Sequence, residues 1–125
     1  KITGIDISEV SIDKAKKRAD ELKIDSSYMV DNCEKTKFND ESFNIVYGTG
    51  ILHHLEINKC LDEIHRILKP DGNLLFVEPF GTNPIINLYR KLTPKSRSKD
   101  EHPLVQLDFY LIKNKFINID IKYYG

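Results

Sequence analysis

The side chains able to do chemistry gather just after apolar runs. Asp6 ends the strand read over residues 2–7, and Asp31-Asn32-Cys33-Glu34 follow a short one over residues 28–30. Gly48-Thr49-Gly50 follow Phe43, Ile45, Val46 and Tyr47, and Glu78-Pro79 follow Leu74, Leu75, Phe76 and Val77. All four segments read as strands, and the last two, Phe43–Tyr47 and Leu74–Val77, as strands buried on both faces. Ligands of open parallel sheets sit outside the carboxyl ends of the strands, so these four stretches are the candidate binding positions. Glycines at Gly48 and Gly50 let a backbone approach a ligand closely, and they equally suit a tight turn. Asp6 equally reads as a turn residue ahead of a helix cap. His53-His54 invites a metal or base reading. Adjacent helical residues diverge, so the two are no chelating pair. No second His/Cys/Asp cluster has ligand spacing, and no metal is expected. His53, His54 and Glu78 are the candidates for a base, and the catalytic residue itself stays unknown.

These positions need elements to hold them. The stretch from Phe38 to Phe80 reads as turn, strand, turn, helix, turn, strand. Ile57, Leu61, Ile64 and Leu68 recur at helical spacing, with Lys59, Asp62, Glu63 and Arg66 on other faces. Pro70-Asp71-Gly72 is a sharp stop. Two buried strands joined by a helix make a right-handed βαβ unit in a parallel sheet. Upstream, Ser8 is the expected N-cap of a helix that runs to about Lys23, with Glu9 in its first turn. Ile12, Ala15, Ala19 and Leu22 share one face of it. Downstream, Asn83 caps and Pro84 opens a further helix containing Ile85, Ile86, Leu88, Tyr89 and Leu92. Five basic residues between Arg90 and Lys99 read as a solvated loop or as an attraction for anionic substrate or lipid phosphate. A helix over residues 104–113 follows. Ile117, Ile119, Ile121 and Tyr123 then alternate with polar residues, the pattern of a half-exposed strand. His65 reads as a surface residue.

Composition narrows the classes. A chain of 125 residues makes one domain at most. Nineteen basic residues balance nineteen acidic ones, so nothing draws the whole chain to nucleic acid. No apolar run approaches the ~20 residues of a membrane span, and no signal peptide is visible. Cys33 and Cys60 do not resemble a metal or disulfide framework. The default setting is reduced and cytoplasmic.

The ordered series Phe38, Asp40, Ser42-Phe43-Asn44 and Val46, then Leu52-His53-His54-Leu55, then Leu68-Lys69-Pro70-Asp71-Gly72 resembles class I S-adenosylmethionine-dependent methyltransferases of the small-molecule type. Asn44 and Asp71 depart from that pattern at turn-tolerant positions. The resemblance implies an α/β, Rossmann-like fold, a mostly parallel sheet with flanking helices, and S-adenosyl-L-methionine as cofactor. It implies that Asp6 accepts hydrogen bonds from the cofactor ribose, a role suited to a carboxylate facing a vicinal diol. It places Ile7 against the adenine and Asn32 on the adenine amino group. Asp31 takes that role if the register slips by one. Cys33 falls where a backbone N–H meets the adenine ring, as a small residue against the ring rather than a nucleophile. Gly48 and Thr49 lie beside the methionine moiety.

The same resemblance implies a partial domain over residues 1–125, strand 2 to strand 6 of a sheet ordered 3-2-1-4-5-7-6. The glycine-rich loop and first strand of the family are expected before Lys1, and strand 7 is not found. Removal of a central strand leaves backbone groups unpaired, so the chain is expected to be a piece of a longer product, or to form a homodimer if a second copy complements the gap. The expected activity is methyl transfer to a small-molecule acceptor, by the full-length parent. A non-catalytic binding or interaction module derived from a methyltransferase is the rival. A dinucleotide-binding oxidoreductase fragment is a third reading, since an acid after the second strand also serves dinucleotides. Leu52-His53-His54-Leu55 and Leu68-Lys69-Pro70-Asp71-Gly72 argue against it.

Overall fold

Four strands and three helices follow one another along the residues that the computed structural model describes, 1–78 and 106–122. They are β1 (Ile2–Asp6), α1 (Glu9–Leu22), β2 (Ser26–Val30), β3 (Phe43–Thr49), α2 (Ile57–Ile67), β4 (Leu68–Val77) and α3 (Gln106–Lys115). A 3-10 turn, Leu52–His54, lies between β3 and α2. The expectations for Asn83-Pro84, for the basic residues from Arg90 to Lys99 and for Tyr123 lie outside the described residues.

Local chemistry explains the boundaries. The Ser8 side chain accepts a hydrogen bond from Ser11 N at 3.2 Å, the expected N-cap. Lys23 ends α1 in the left-handed region with φ 53°. Of the expected face, Ile12 and Ala19 are buried, Ala15 is half-buried and Leu22 is exposed. Helix α2 stops at Ile67, three residues before Pro70, and Leu68 is already extended. A residue ahead of proline avoids the α region, so Lys69 cannot continue the helix comfortably. Pro70-Asp71-Gly72 thus sits past the helix end rather than in its last turn. It lies inside β4, where Phe43 to Ile45 on one strand spans Leu68 to Asn73 on the other.

Among the described residues the strands form two parallel pairs, β1 with β2 and β3 with β4, with no ladder between the pairs. Asp6 registers with Val30, and Thr49 with Val77. α1 connects β1 to β2, and α2 connects β3 to β4. α1 packs against β1 and β2, while α2 packs against β4 and α3. The core belongs to the second unit. Leu52, Ile57, Cys60, Leu61 and Ile64 are buried together, and Val46, Leu74, Phe76, Phe109, Ile112 and Phe116 close around them. Each such aliphatic side chain contributes about 1.5–3 kcal/mol by leaving water.

Two expectations are corrected. β3 and β4 are not buried on both faces: Ile45 and Tyr47 are 66% and 61% exposed, and Leu75 and Val77 are 56% and 54% exposed. Val46, Leu74 and Phe76 meet the helices on one face, and the alternation of a strand turns these four neighbours to the other. The residues from Phe116 to Lys122 are not a strand. They leave α3 as an irregular tail, with Asn118 at φ 60°. An isolated amphipathic run gains no ladder energy without a neighbouring strand, and among the described residues none pairs with it.

Candidate functional site at the carboxyl ends of the strands

Strand ends and short turns frame the site. Asp6 is the last residue of β1 and is half-buried. Its Oδ1 accepts from Ser8 N at 2.7 Å, which aims the carboxylate along the entry to α1. Among the described residues Oδ2 makes no hydrogen bond, so one face of the carboxylate is available to a donor. Ile7 beside it is exposed. Asp31 N donates to Asp6 O at 3.1 Å, carrying the β1–β2 ladder one residue further and setting the next loop against Asp6.

That loop is shaped by its own acidic and amide groups. Asp31 is buried, and its two oxygens accept from Asn32 N and Lys37 N, each at 3.0 Å. Asn32 is exposed, and its Oδ1 accepts from Glu34 N at 2.9 Å. Both side chains hold the backbone of residues 31–37. Asn32 keeps a second lone pair on Oδ1 and an amide donor facing outward. Asp31 spends its capacity inside the loop.

The third piece is the turn after β3. Gly50 has φ 58° and its N–H donates to Val77 O at 2.8 Å. A Cβ at Gly48 would collide with the ring of Phe76 on the neighbouring strand. Both glycines are thus required by geometry, one by backbone conformation and one by close approach. Thr49 is exposed at the strand end. Glu78, one residue past β4, accepts from Ile51 N at 2.8 Å and Leu52 N at 3.0 Å with one oxygen. It offsets the orphan N–H groups of the 3-10 turn. Its sequence-level reading was a pocket acid or base; its place in the structure makes it the anchor of the Gly48–Gly50 turn. His54 is exposed in that turn.

A second network fastens the loop to α2. Glu63 is buried, and its Oε1 accepts from Thr36 N at 2.8 Å and Thr36 Oγ1 at 2.6 Å. Arg66 Nη2 and Nε donate to Glu63 Oε1 at 2.5 Å and Oε2 at 3.0 Å. Arg66 Nη1 also reaches Phe38 O at 2.8 Å and Asp40 Oδ1 at 2.6 Å. The Arg66 guanidinium, then the Thr36 donors, hold the Glu63 carboxyl down to about 2. Closer to the site, Glu34 Oε1 accepts from Glu56 N at 2.8 Å, tying the loop to the start of α2. The Glu63–Arg66 spacing is visible along a helix face; the partners at Thr36 and Phe38 are not.

The two cysteines are free. Cys60 is 2% exposed in α2, and Cys33 is half-buried in the loop. Among the described residues no group of three His, Cys, Asp or Glu could hold a metal ion. No helix of the described residues is long and apolar enough to cross a membrane. A cleft of about 290 Å3 opens between β4, α2 and the tail after α3, walled by Leu61, Leu74, Phe76, Phe109 and Phe116 and bordered by Glu78.

Parallel strands with ligand-facing turns at their carboxyl ends, backed by amphipathic helices, define an α/β domain of Rossmann-like type. A solved SAM-dependent methyltransferase from Methanosarcina mazei is similar to this chain, with a TM-score of 0.77 and 25% identity over 96% of this chain and 70% of that one. Residues 1–76 match the methyltransferase domain family, and the chain belongs to that family. The demethylmenaquinone methyltransferase of Lactobacillus johnsonii is 34% identical over 101 residues, 74% of this chain and 41% of the relative. That of Chlorobaculum parvum is 31% identical over 88 residues, 69% of this chain and 35% of the relative. The chain thus spans well under half the length of these two curated relatives.

Proposed function

We propose that this chain supplies the cofactor-holding strand ends of a protein that transfers a methyl group from S-adenosyl-L-methionine to a small-molecule acceptor. The observation that carries the reading is the half-buried Asp6 carboxylate at the end of β1. One of its oxygens is fixed by Ser8 N, and the other makes no hydrogen bond to the described residues. A vicinal diol such as a ribose suits that oxygen. Ile7 offers an apolar surface beside it, and Asn32 and the backbone at Cys33 offer a donor and acceptor edge for a purine. Gly48 and Thr49, on the adjoining strand pair, suit the amino-acid end of the cofactor. The sulfonium is already activated, so holding an acceptor in line with the methyl group supplies much of the acceleration. A base is required only if the acceptor must lose a proton. Glu78 is occupied by two backbone N–H groups, which leaves His53 and His54 as the better candidates.

The experiment is calorimetric titration of S-adenosylhomocysteine into two proteins. One is this chain; the other is this chain fused behind the first strand and glycine-rich loop of a curated relative. Binding by either, weakened at least tenfold by Asp6→Ala, supports the reading. Binding by neither overturns it. A second reading has its own support. The strand pairs share no ladder among the described residues, which favours a non-catalytic interaction module in this chain. A defined oligomer with no cofactor binding is its signature.

A further inference from the structure

Of the features that the proposed methyl transfer leaves unused, the strongest is the cleft between β4, α2, α3 and the tail after α3. We propose that this cleft binds an uncharged, mainly apolar molecule of one or two fused rings, and that its occupancy stiffens the turn from Gly48 to Leu52.

Walls and size define the ligand. Leu61, Leu74, Phe76, Phe109, Ile112 and Phe116 line a space of about 290 Å3. Leu61 is wholly buried and the other five are half-buried, so the floor is sealed while the walls still have surface to cover. None of the six carries a polar side-chain atom, and water against such walls finds few partners; an apolar cavity of about 150 Å3 already takes benzene. The cleft lies at the small end of ligand sites, ~300–1,000 Å3, which suits one or two rings rather than a peptide. Three phenylalanine rings offer stacked or edge-on contacts to an aromatic guest. Charged side chains stand only at the border, at Glu78, Asp120 and Lys122. Lys122 Nζ pairs with Asp120 Oδ2 at 3.5 Å, and Glu78 accepts from Ile51 N and Leu52 N. An ionised ligand would lose its hydration to walls that return no ion pair. Asn73 and Asn118, also at the border, offer amides to a hydroxyl or a ring N–H.

The cleft and the turn share residues. Phe76 lines the cleft, and its ring also fills the space in which a Cβ at Gly48 would stand. Leu52 and Glu78 line it too, and Glu78 holds Ile51 N at 2.8 Å and Leu52 N at 3.0 Å. A ring seated in the cleft therefore presses on Phe76, on Leu52 and on the stem of Glu78, three of the groups that shape the turn. Local opening of the Ile51 and Leu52 hydrogen bonds becomes rarer when those groups are held. The coupling is reciprocal: whatever orders the turn also tightens the hold of the cleft on its ligand.

The test needs no cofactor, so its failure is separable from that of the methyl-transfer reading. The chain, labelled at its isoleucine and leucine methyl groups, is titrated with indole and in parallel with benzoate, followed by nuclear magnetic resonance. Indole should shift Leu61, Leu74 and Ile112 to saturation and leave Ile45 and Leu75, on the exposed sheet face, unmoved. Benzoate should bind about tenfold more weakly or not at all. With saturating indole, amide exchange at Ile51 and Leu52 should slow about threefold or more, while Ser11 N at the α1 cap should not change. Ile112→Trp and Leu74→Trp each fill the cleft and should weaken indole binding by about tenfold. Circular dichroism shows whether each variant keeps its helices, and the wild-type titration stands without them. Shifts that never saturate, shifts as large at Ile45 and Leu75, or benzoate binding as tight as indole would overturn the site. Unchanged exchange at Ile51 and Leu52 with the cleft filled would overturn the coupling.

Discussion

The β1–α1–β2 unit and the β3–α2–β4 unit share one plan and differ in what completes them. Both place two parallel strands beside a helix, with polar turns at the carboxyl ends. In the first, α1 buries only Ile12 and Ala19. In the second, α2 buries Ile57, Cys60, Leu61, Glu63, Ile64 and Ile67 and gains α3 as a second layer. The reason is visible in their faces. α1 is lysine-rich around a narrow apolar strip, whereas α2 carries a wide one. The first unit therefore presents ligand groups on a thin support, and the second supplies the rigid floor. The loop after β2 bridges them through Glu34 and Thr36.

Breaking the floor should cost most. Leu61→Ala removes a wholly buried side chain and is expected to lower unfolding free energy by about 2–5 kcal/mol in urea titration. Ile12→Val in the thinner unit should cost only about 0.5–1.5 kcal/mol. Equal losses at the two sites would abolish the distinction between floor and support.

The bridge comes next. Thr36→Val strips a hydroxyl from the buried Glu63 carboxylate and should cost about 1–3 kcal/mol. Glu63 also makes the bridge acid-sensitive. Its folded pKa of about 2 lies below the usual 4.5, so its stabilisation is complete above about pH 4.5 and is lost as pH falls through 2. Glu63→Gln should flatten the urea midpoint across that window; an unchanged acid slope would place the sensitivity elsewhere.

Smaller effects sharpen the comparison. Ser8→Ala removes the α1 cap and should cost about 1 kcal/mol, read as lost helicity. Ile45→Lys, on the exposed face of β3, should change stability by no more than about 0.5 kcal/mol. A large loss there would show that this face is covered in solution.

Much of this was legible in the residues. Ser8 as a cap, the Ile57-Leu61-Ile64 stripe and the Phe43–Tyr47 run each follow from local sterics and solvation, which act within a few residues. So do Asp6 at a strand end and the glycines at 48 and 50. Those local rules could not tell that Ile45, Tyr47, Leu75 and Val77 stay exposed, because burial depends on what other segments lie against a face. Nor could they tell that residues 116–122 leave α3 without forming a strand, since strand formation needs a neighbour. Glu78 at Ile51 N and Leu52 N, and Glu63 at Thr36, join residues 26–27 positions apart. The sequence determined the kinds of element and the chemical groups at their ends. The tertiary structure alone decided which groups meet, because hydrogen bonds act only over a few ångströms, and only the packing of the strands and α2 against the loops brings these atoms within that range.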